Sequence, residues 1–355
     1  FNQNGIWKLA KLDTRHKTSE NYVIPYTEFG RGNVRVRSDL LVFQAASTEE
    51  PMSILSMDPT GNNLTRIKSS NSNTIDPEYV SVPEAITYET ADGFDTHAFF
   101  YRPTNPRYLG LPDEKPPLLV KSHGGPTGAT STALDLSIQF WTSRGFSVLD
   151  VNYGGSTGYG REYRERLRGN WGVRDVNDCA GGALYLVKTG VVDGNRMAIQ
   201  GGSAGGYTTL ACLTFTDVFQ IGASYYGVSD LETLATDTHK FESRYLDGLI
   251  GPYPETRDLY LKRSPINYID QLSCSMILFQ GQEDKIVPPD QAENMFTAVK
   301  SKGFPSAYIN FKNEQHGFRQ ASNIKKAIEA QYYFFSRVFG FELNESLNPI
   351  EIANL

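Results

Sequence analysis

The chain has 355 residues, which allows a catalytic domain with a second domain attached, since single domains rarely exceed about 250 residues. Its 34 Lys and Arg against 40 Asp and Glu give a formal net charge of -6, which argues against binding to nucleic acid or to an anionic membrane. No apolar run reaches the ~18 residues of a membrane span, and the three cysteines form no metal-ligand cluster. The composition therefore predicts a soluble protein without a metal or another cofactor.

Residues 1–82 are predicted to form an all-β domain. Short β-rich runs alternate with turn residues in "GIWKLAKLD", "NVRVR", "DLLVFQAA" and "MSILSMDPTGNNLTRI". Two units of about 40 residues match the period of propeller blades, but two blades cannot close a propeller. Because the chain starts at Phe1 and lacks a signal-like segment, we expect it to be part of a longer, cytoplasmic protein.

Residues 83–355 are predicted to form an α/β domain. Strands are expected at residues 116–123, 146–153, 196–200, 221–227, 275–281 and 306–311, and helices near 132–144, 174–189, from about 205, 289–302 and 322–338. Uniformly apolar strands that alternate with helices are typical of a doubly wound, mostly parallel sheet. Ligand sites in such sheets lie at the carboxyl ends of the strands.

Two stretches fit the pattern Gly-x-Ser-x-Gly, residues 154–158 and 201–205. A nucleophile elbow needs a strand that stops abruptly, a serine on a strained turn and a helix that starts at once. Ser203 meets these demands, whereas two further residues lengthen the turn of Ser156 before any helix can start. The sequence therefore predicts that Ser203, rather than Ser156, is the nucleophile.

A serine hydroxyl needs a base and an orienting acid, which follow it in the order Asp or Glu, then His, in α/β-hydrolases. Of the five histidines, only His239 and His316 follow Ser203. His316 comes directly after a predicted strand, whereas His239 lies in a polar insertion and is expected at the surface. Asp284, preferred over Glu283, follows the strand before it. The predicted triad is therefore Ser203, Asp284 and His316.

The tetrahedral intermediate of acyl transfer also needs donors for its oxyanion, and removing one donor costs ~3 kcal/mol. The backbone N-H of Ala204 is predicted to be one donor from the geometry of the elbow. Glycines in "HGGP" allow the backbone to approach the substrate, so the N-H of Gly125 is predicted to be the other. His123 is then expected to pack within this loop rather than to act as a base.

The motifs "SHGGPTG", "NYGGSTGYGREY", "WGVRDVNDC", "GGSAGGYTTLA", "RSPINYID", "GQEDKIVPPDQ" and "EQHGF" stand in one order along the catalytic domain. Together they resemble the prolyl oligopeptidase family of serine peptidases, in particular its acylaminoacyl-peptidase and dipeptidyl-aminopeptidase-like branch. The resemblance implies an α/β-hydrolase fold preceded by a β-propeller. It also matches Ser203, Asp284 and His316 to the triad, and Gly125 and Ala204 to the oxyanion positions.

The chain departs from the family pattern at two places. Many members carry an Arg shortly after the acid of the triad, where this chain has Lys285, Ile286 and Val287, so no specificity that depends on the Arg is transferred. The branch also usually has an Arg at the position of Gly154, and the change implies altered loop contacts. Val228 and Val287 are predicted to line an apolar pocket for the P1 side chain.

The predicted function is a serine peptidase that hydrolyses short peptides through an acyl-enzyme. The alternative is an esterase or lipase on the same triad, and a third reading is a binding protein with a silent hydrolase fold. Peptides are the expected partners, and exposed strand edges of a partial propeller favour a homo-oligomer.

Overall fold

The structure, a computed structural model, describes residues 1–30, 32–71, 75–237 and 243–355. His239, which the sequence places at the surface, lies outside the described residues. No helix in the described ranges is both long and apolar enough to cross a membrane.

The described part of the chain before residue 72 folds into three small antiparallel sheets. Its strands are β1 (Asn2–Gln3), β2 (Ile6–Trp7), β3 (Ala10–Asp13), β4 (Thr18–Asn21), β5 (Glu28–Phe29), β6 (Arg35–Arg37), β7 (Leu40–Ala46), β8 (Ser53–Met57) and β9 (Thr65–Ser69). Strands β1 and β2 pair, β3 and β4 pair, and β5 to β9 form one five-stranded sheet. The two strand pairs belong to the first of the two predicted units, and the five-stranded sheet contains the second. Strand β4 reads "TSEN" and is exposed throughout, so it has no apolar face to pack on a larger sheet.

The five-stranded sheet has its own small core. Phe43, Leu55 and Met57 alternate with more exposed residues on neighbouring strands and are at most 1% exposed. Burying such side chains contributes about 1.5–3 kcal/mol each. The turn residues of "MDPTGNN" join β8 and β9 as an antiparallel hairpin, and Asp58 caps its turn by accepting the N-H groups of Thr60 at 2.9 Å and Asn62 at 3.0 Å.

An eight-stranded sheet forms the centre of the second part. Its strands are β10 (Glu84–Glu89), β11 (Asp95–Tyr101), β12 (Leu118–Ser122), β13 (Ser147–Asn152), β14 (Met197–Gly202), β15 (Ile221–Tyr225), β16 (Ser275–Gly281) and β17 (Ser306–Phe311). The order is β10-β11-β13-β12-β14-β15-β16-β17. Strands β10 and β11 are antiparallel at one edge, and β12 to β17 are parallel. This confirms the predicted doubly wound, mostly parallel sheet.

Helices cover both faces of this sheet. They are α1 (Leu136–Thr142), α2 (Arg161–Glu165), α3 (Arg174–Lys188), α4 (Ala204–Phe215), α5 (Leu231–Asp237), α6 (Tyr245–Leu249), α7 (Arg257–Arg263), α8 (Pro289–Ser301) and α9 (Ala321–Phe339). Helices α3, α4 and α8 contribute to one core, and α1 and α9 to the other. Strands buried from both sides explain the uniformly apolar runs in the sequence. Helices α5, α6 and α7 belong to the insertion between β15 and β16.

We propose that the first domain ends at residue 82. The strands before this point pair only with one another in the described ranges, and those after it form the large sheet. Ser81, next to this boundary, contacts the second part, because its N-H and C=O groups bond the side-chain amide of Gln139 in α1 at 2.7 and 3.1 Å. The two parts also touch at Thr132, whose hydroxyl lies 2.8 Å from that of Thr27.

Candidate active site

Four loops at the carboxyl edge of the sheet contain the predicted site residues. They follow β12, β14, β16 and β17 and contain Gly125, Ser203, Asp284 and His316, respectively. Because these strands are parallel, their carboxyl ends share one edge of the sheet. The fold therefore brings together residues that are far apart in the sequence.

Ser203 is the only residue between the end of β14 and the start of α4. The strand runs to Gly202, two residues beyond the predicted end, and the helix starts at Ala204. Ser203 has φ 58° and ψ -122°, a conformation that is rare for residues with a side chain. Its N-H donates to the carbonyl of Tyr225 on the next strand at 2.9 Å, which holds the strained turn in place.

Small residues around Ser203 allow the new helix to lie against the strands. A Cβ atom on Gly205 would collide with the carbonyl oxygen of Ser122 on β12. A Cβ atom on Gly206 would lie 2.6 Å from Cα of Gly227, in the loop after β15. The glycines are therefore required by close backbone packing as well as by the turn.

We expect Gly205→Ala to destabilise the chain by about 3 kcal/mol or more, because the added methyl group meets backbone atoms that cannot rotate away. Gly248→Ala in α6 is the matched control, since a Cβ atom there meets nothing within 4 Å, and its effect should stay within about 1 kcal/mol. Urea unfolding of both variants measures the difference. Equal midpoints would contradict the packing argument.

A buried carboxyl group also fixes helix α4. Asp175 in α3 accepts the hydroxyl of Thr208 in α4 at 2.5 Å and the N-H of Gly172 at 2.6 Å. Burial raises the pKa of Asp175 to about 6, and the two hydrogen bonds partly oppose this rise. The "WGVRD" segment therefore supports the helix whose N-terminus faces Ser203.

Ser203, His316 and Asp284 form a continuous chain of hydrogen bonds. Nε2 of His316 lies 2.8 Å from Oγ of Ser203, and Nδ1 lies 2.8 Å from Oδ2 of Asp284. An ionised carboxylate only accepts hydrogen bonds, so Nδ1 carries the proton and Nε2 is free to accept the serine hydroxyl. This tautomer is the one that a general base requires.

The Asp284 side chain is fully buried and well supplied with donors. Its Oδ1 accepts the N-H groups of Ile286 at 2.9 Å and Val287 at 3.0 Å. Gln280 donates to Oδ2 at 3.3 Å, beside His316. These donors stabilise the negative charge in a buried place. Glu283, the alternative acid, is exposed to solvent.

Both predicted oxyanion donors lie close to Ser203. Ala204 opens helix α4, so its N-H has no intrahelical acceptor. Gly125 is exposed at φ 124° in the loop after β12, and a Cβ atom on the preceding Gly124 would lie 3.6 Å from Cβ of Ser203. Neither amide is hydrogen-bonded to another group in the described part of the chain. Both N-H groups are therefore available to a ligand.

The second Gly-x-Ser-x-Gly serine has a different environment. Ser156 is fully buried, so its hydroxyl cannot reach a substrate. Its Oγ lies 2.7 Å from Nε2 of His123, which stacks on Tyr153 with ring centroids 4.2 Å apart. Burial lowers the pKa of His123 to about 4, so the ring is neutral at pH 7. The structure thus places His123 within the loop packing, away from Ser203.

Two tyrosines at the site were missed by the sequence reasoning. The Tyr226 ring meets His316 edge-on at 4.9 Å, and burial together with the charge of Asp284 raises its pKa. Tyr245 in α6 donates to the carbonyl of Gly125 at 3.2 Å. Tyr226 lies at the carboxyl end of a predicted strand, residues 221–227, which is a usable signal, but the position of Tyr245 depends on how the insertion folds.

Val228 and Val287, the predicted P1 residues, are both 2% exposed and belong to the core on the α4 side of the sheet. A cavity of about 330 Å³ lies on the other side of the elbow, between the sheet and helices α1 and α9. Gly202, Tyr226 and Phe318 line its edge next to the site. The role of the two valines in specificity stays a prediction.

The fold and the site together define an α/β-hydrolase. More narrowly, the chain belongs to the prolyl oligopeptidase family, whose sequence model matches residues 132–342. Dipeptidyl aminopeptidase BIII of Pseudoxanthomonas mexicana is 33% identical over 61% of this chain and 32% of its own length. The acylamino-acid-releasing enzyme of Rattus norvegicus is 31% identical over 67% of this chain and 33% of its own length.

A solved structure matches almost all of the described fold. The puromycin-hydrolyzing peptidase of Mycobacterium tuberculosis is 41% identical, with a TM-score of 0.95 over 99% of this chain and 53% of the solved one. The chain thus spans about a third of the length of the two curated relatives and about half of the solved chain. These relatives bear out the predicted family and its acylaminoacyl-peptidase and dipeptidyl-aminopeptidase-like branch.

Proposed function

We propose that this chain contains the catalytic machinery of a serine peptidase that hydrolyses short peptides through an acyl-enzyme. The observation that supports this most directly is the hydrogen-bonded chain from Ser203 through His316 to Asp284. The relatives support the substrate class, because they are named as aminopeptidase, acylamino-acid-releasing and puromycin-hydrolyzing enzymes.

In the proposed reaction, Ser203 attacks the scissile carbonyl while Nε2 of His316 takes the hydroxyl proton. The carbonyl oxygen becomes an oxyanion and accepts the N-H groups of Ala204 and Gly125. His316 then gives its proton to the leaving amine, and the acyl group stays on Ser203. A water molecule, deprotonated by His316, releases the acid in the second half of the cycle.

The position of the cavity bears on which part of a substrate occupies it. Tyr226 contacts His316 and lines the cavity, and Phe318 lines it two residues after His316. Since His316 protonates the leaving group, we place the leaving-group side of the substrate toward this cavity. The acyl side then lies toward the α4 side of the sheet, where Val228 and Val287 belong to the core.

A panel of substrates tests the proposal. Aminoacyl and dipeptidyl anilides with free N-termini, their N-acetylated forms, puromycin and simple p-nitrophenyl esters are compared by kcat/KM. A peptidase is expected to cleave at least one class of anilide, because His316 lies in place to protonate an amine leaving group. Cleavage of the esters alone would contradict the proposal and favour an esterase, the alternative on the same triad.

Labelling with a fluorophosphonate separates an enzyme from a binding protein with a silent hydrolase fold. We expect the probe to modify Ser203, since its hydroxyl is paired with a base at 2.8 Å. A protein that stays unlabelled would contradict any serine hydrolase activity. The cytoplasmic location and the homo-oligomer stay predictions.

A further inference from the structure

The second Gly-x-Ser-x-Gly motif, residues 154–158, lies directly against the loop that contains Gly125. We propose that Ser156 and His123 are positioning residues that set the direction in which the Gly125 N-H points. This inference rests on the proposed function, since it assigns a task within the same site. It depends on two hydrogen bonds and one peptide bond, which follow in order from the hydroxyl of Ser156 to the amide of Gly125.

The first contact joins the two side chains, and the second joins the imidazole to the backbone. Nε2 of His123 lies 2.7 Å from Oγ of Ser156, and Nδ1 lies 2.9 Å from the carbonyl oxygen of Gly124. The ring is held in this plane by Tyr153, which stacks on it at 4.2 Å. The Tyr153 hydroxyl in turn lies within hydrogen-bond distance of the carbonyls of His123, at 3.1 Å, and Pro126, at 2.9 Å.

The neighbouring acceptors determine the tautomer of His123. The Ser156 hydroxyl has one hydrogen and two acceptors in reach, Nε2 of His123 and the carbonyl of Tyr153 at 2.8 Å. The Tyr153 carbonyl already accepts the N-H of Ser156 at 2.9 Å, so it does not need the hydroxyl. The Gly124 carbonyl has no donor among the described residues other than Nδ1 of His123. The favoured state therefore has the proton on Nδ1 and the Ser156 hydroxyl donating to Nε2.

The third link is the peptide bond between Gly124 and Gly125. The C=O and N-H groups of a trans peptide point in opposite directions. The bond between Gly124 and Gly125 is trans, so a Gly124 carbonyl held by His123 directs the Gly125 N-H away from that ring. Gly124 lies beside the nucleophile, where an added Cβ would be 3.1 Å from the Gly202 carbonyl and 3.6 Å from Cβ of Ser203. The N-H is thereby aimed at the cleft.

Paired variants of His123 test this chain of contacts. His123→Phe keeps an aromatic ring on Tyr153 but removes the donor to Gly124, whereas the side-chain amide of His123→Asn places a donor near the position of Nδ1. We expect His123→Phe to lower kcat on the best anilide about 100-fold, the typical effect of losing an oxyanion donor, and His123→Asn to lose less than about 10-fold. KM should change little in both variants, because the contact forms in the transition state.

Paired variants of Ser156 test the end of this chain of contacts that lies farthest from Gly125. Ser156→Ala leaves Nε2 of His123 without the hydroxyl that donates to it. We expect this variant to lower kcat about 10-fold, which is less than the loss from removing an oxyanion donor. Ser156→Thr keeps the hydroxyl and is expected to keep most of the wild-type kcat. The affinity for a peptide boronate, which mimics the tetrahedral intermediate, should fall by the same factor as kcat. The affinity for a product peptide should not change. A merely structural role would weaken both ligands together.

The tautomer is measured separately by long-range 1H-15N NMR at neutral pH, with the His123→Asn variant identifying the signal. Protonation on Nδ1 is expected, and a proton on Nε2 would overturn the proposal even if His123→Phe does not fold. Wild-type kinetics for Ser156→Ala and His123→Phe would overturn it as well. The wild type is first shown to cleave the anilide and Ser203→Ala to be inactive, so a failed positioning role is distinct from a failed peptidase function.

Discussion

Replacing Ser203 by alanine is expected to lower kcat on a peptide anilide about 10⁵-fold, without a loss of folding stability. The hydroxyl is the atom that forms the acyl bond, and His316 has no other hydroxyl partner in the described structure. Alanine removes only Oγ from a residue whose backbone is held by Tyr225 and by helix α4. Steady-state kinetics and a thermal melt of the same preparation measure the two expectations.

Ser156→Ala is the matched control, because it removes a hydroxyl from the same five-residue pattern. It should still be labelled by a fluorophosphonate, whereas Ser203→Ala should not. Labelling of Ser203→Ala at Ser156 would show that the assignment of the nucleophile is wrong. That outcome is not expected, since Ser156 is fully buried.

Replacing Asp284 by asparagine is expected to lower kcat about 10⁴-fold through a change of tautomer. Oδ1 of Asp284 accepts two backbone N-H groups, and Oδ2 faces Nδ1 of His316. Asparagine has one acceptor oxygen, which accepts the two backbone N-H groups. Its NH₂ group therefore faces the histidine. Nδ1 then has to accept, and the ring proton moves to Nε2. A protonated Nε2 cannot take the hydroxyl proton of Ser203.

Glu283→Gln provides the control for this prediction. The residue precedes Asp284 and was the alternative acid in the sequence, but its side chain is exposed to solvent. We expect its kcat to stay within about twofold of the wild type, as for most surface substitutions. A loss similar to that of Asp284→Asn would contradict the assignment of the acid.

The large features of the catalytic part were predictable because they follow from local patterns. Strands β16 and β17 have the predicted bounds, and the bounds of α3, α8 and α9 differ from the prediction by at most one residue. Strand β16 is buried along its whole length, so its apolar run ends where the strand ends. The order of Ser203, Asp284 and His316 could then be placed on the carboxyl edge of one sheet.

The finer features depend on contacts between distant segments, which no local pattern contains. Strand β14 continues to Gly202 because its glycines pair with β15, beyond the point where its apolar run stops. Tyr245 reaches Gly125 from the insertion between β15 and β16, and the pairing of His123 with Ser156 joins two loops. Each of these contacts follows from tertiary packing.

The N-terminal part shows a second limit. Turn residues and β-rich runs predicted strands correctly around β7, β8 and β9, but they did not show that β1 and β2 pair separately from β3 and β4. Which strands pair depends on contacts between segments, and the turn pattern does not contain these contacts.

The backbone conformation of Ser203 places the nucleophile for catalysis but lowers the stability of the fold. A side chain at φ 58° and ψ -122° carries a penalty on the order of 1–3 kcal/mol that a glycine would largely avoid. Selection for a longer-lived fold alone would therefore replace this serine with glycine, and the catalyst would be lost. The serine is retained only if turnover outweighs that stability, so lineages in which the activity is no longer used should lose it here early.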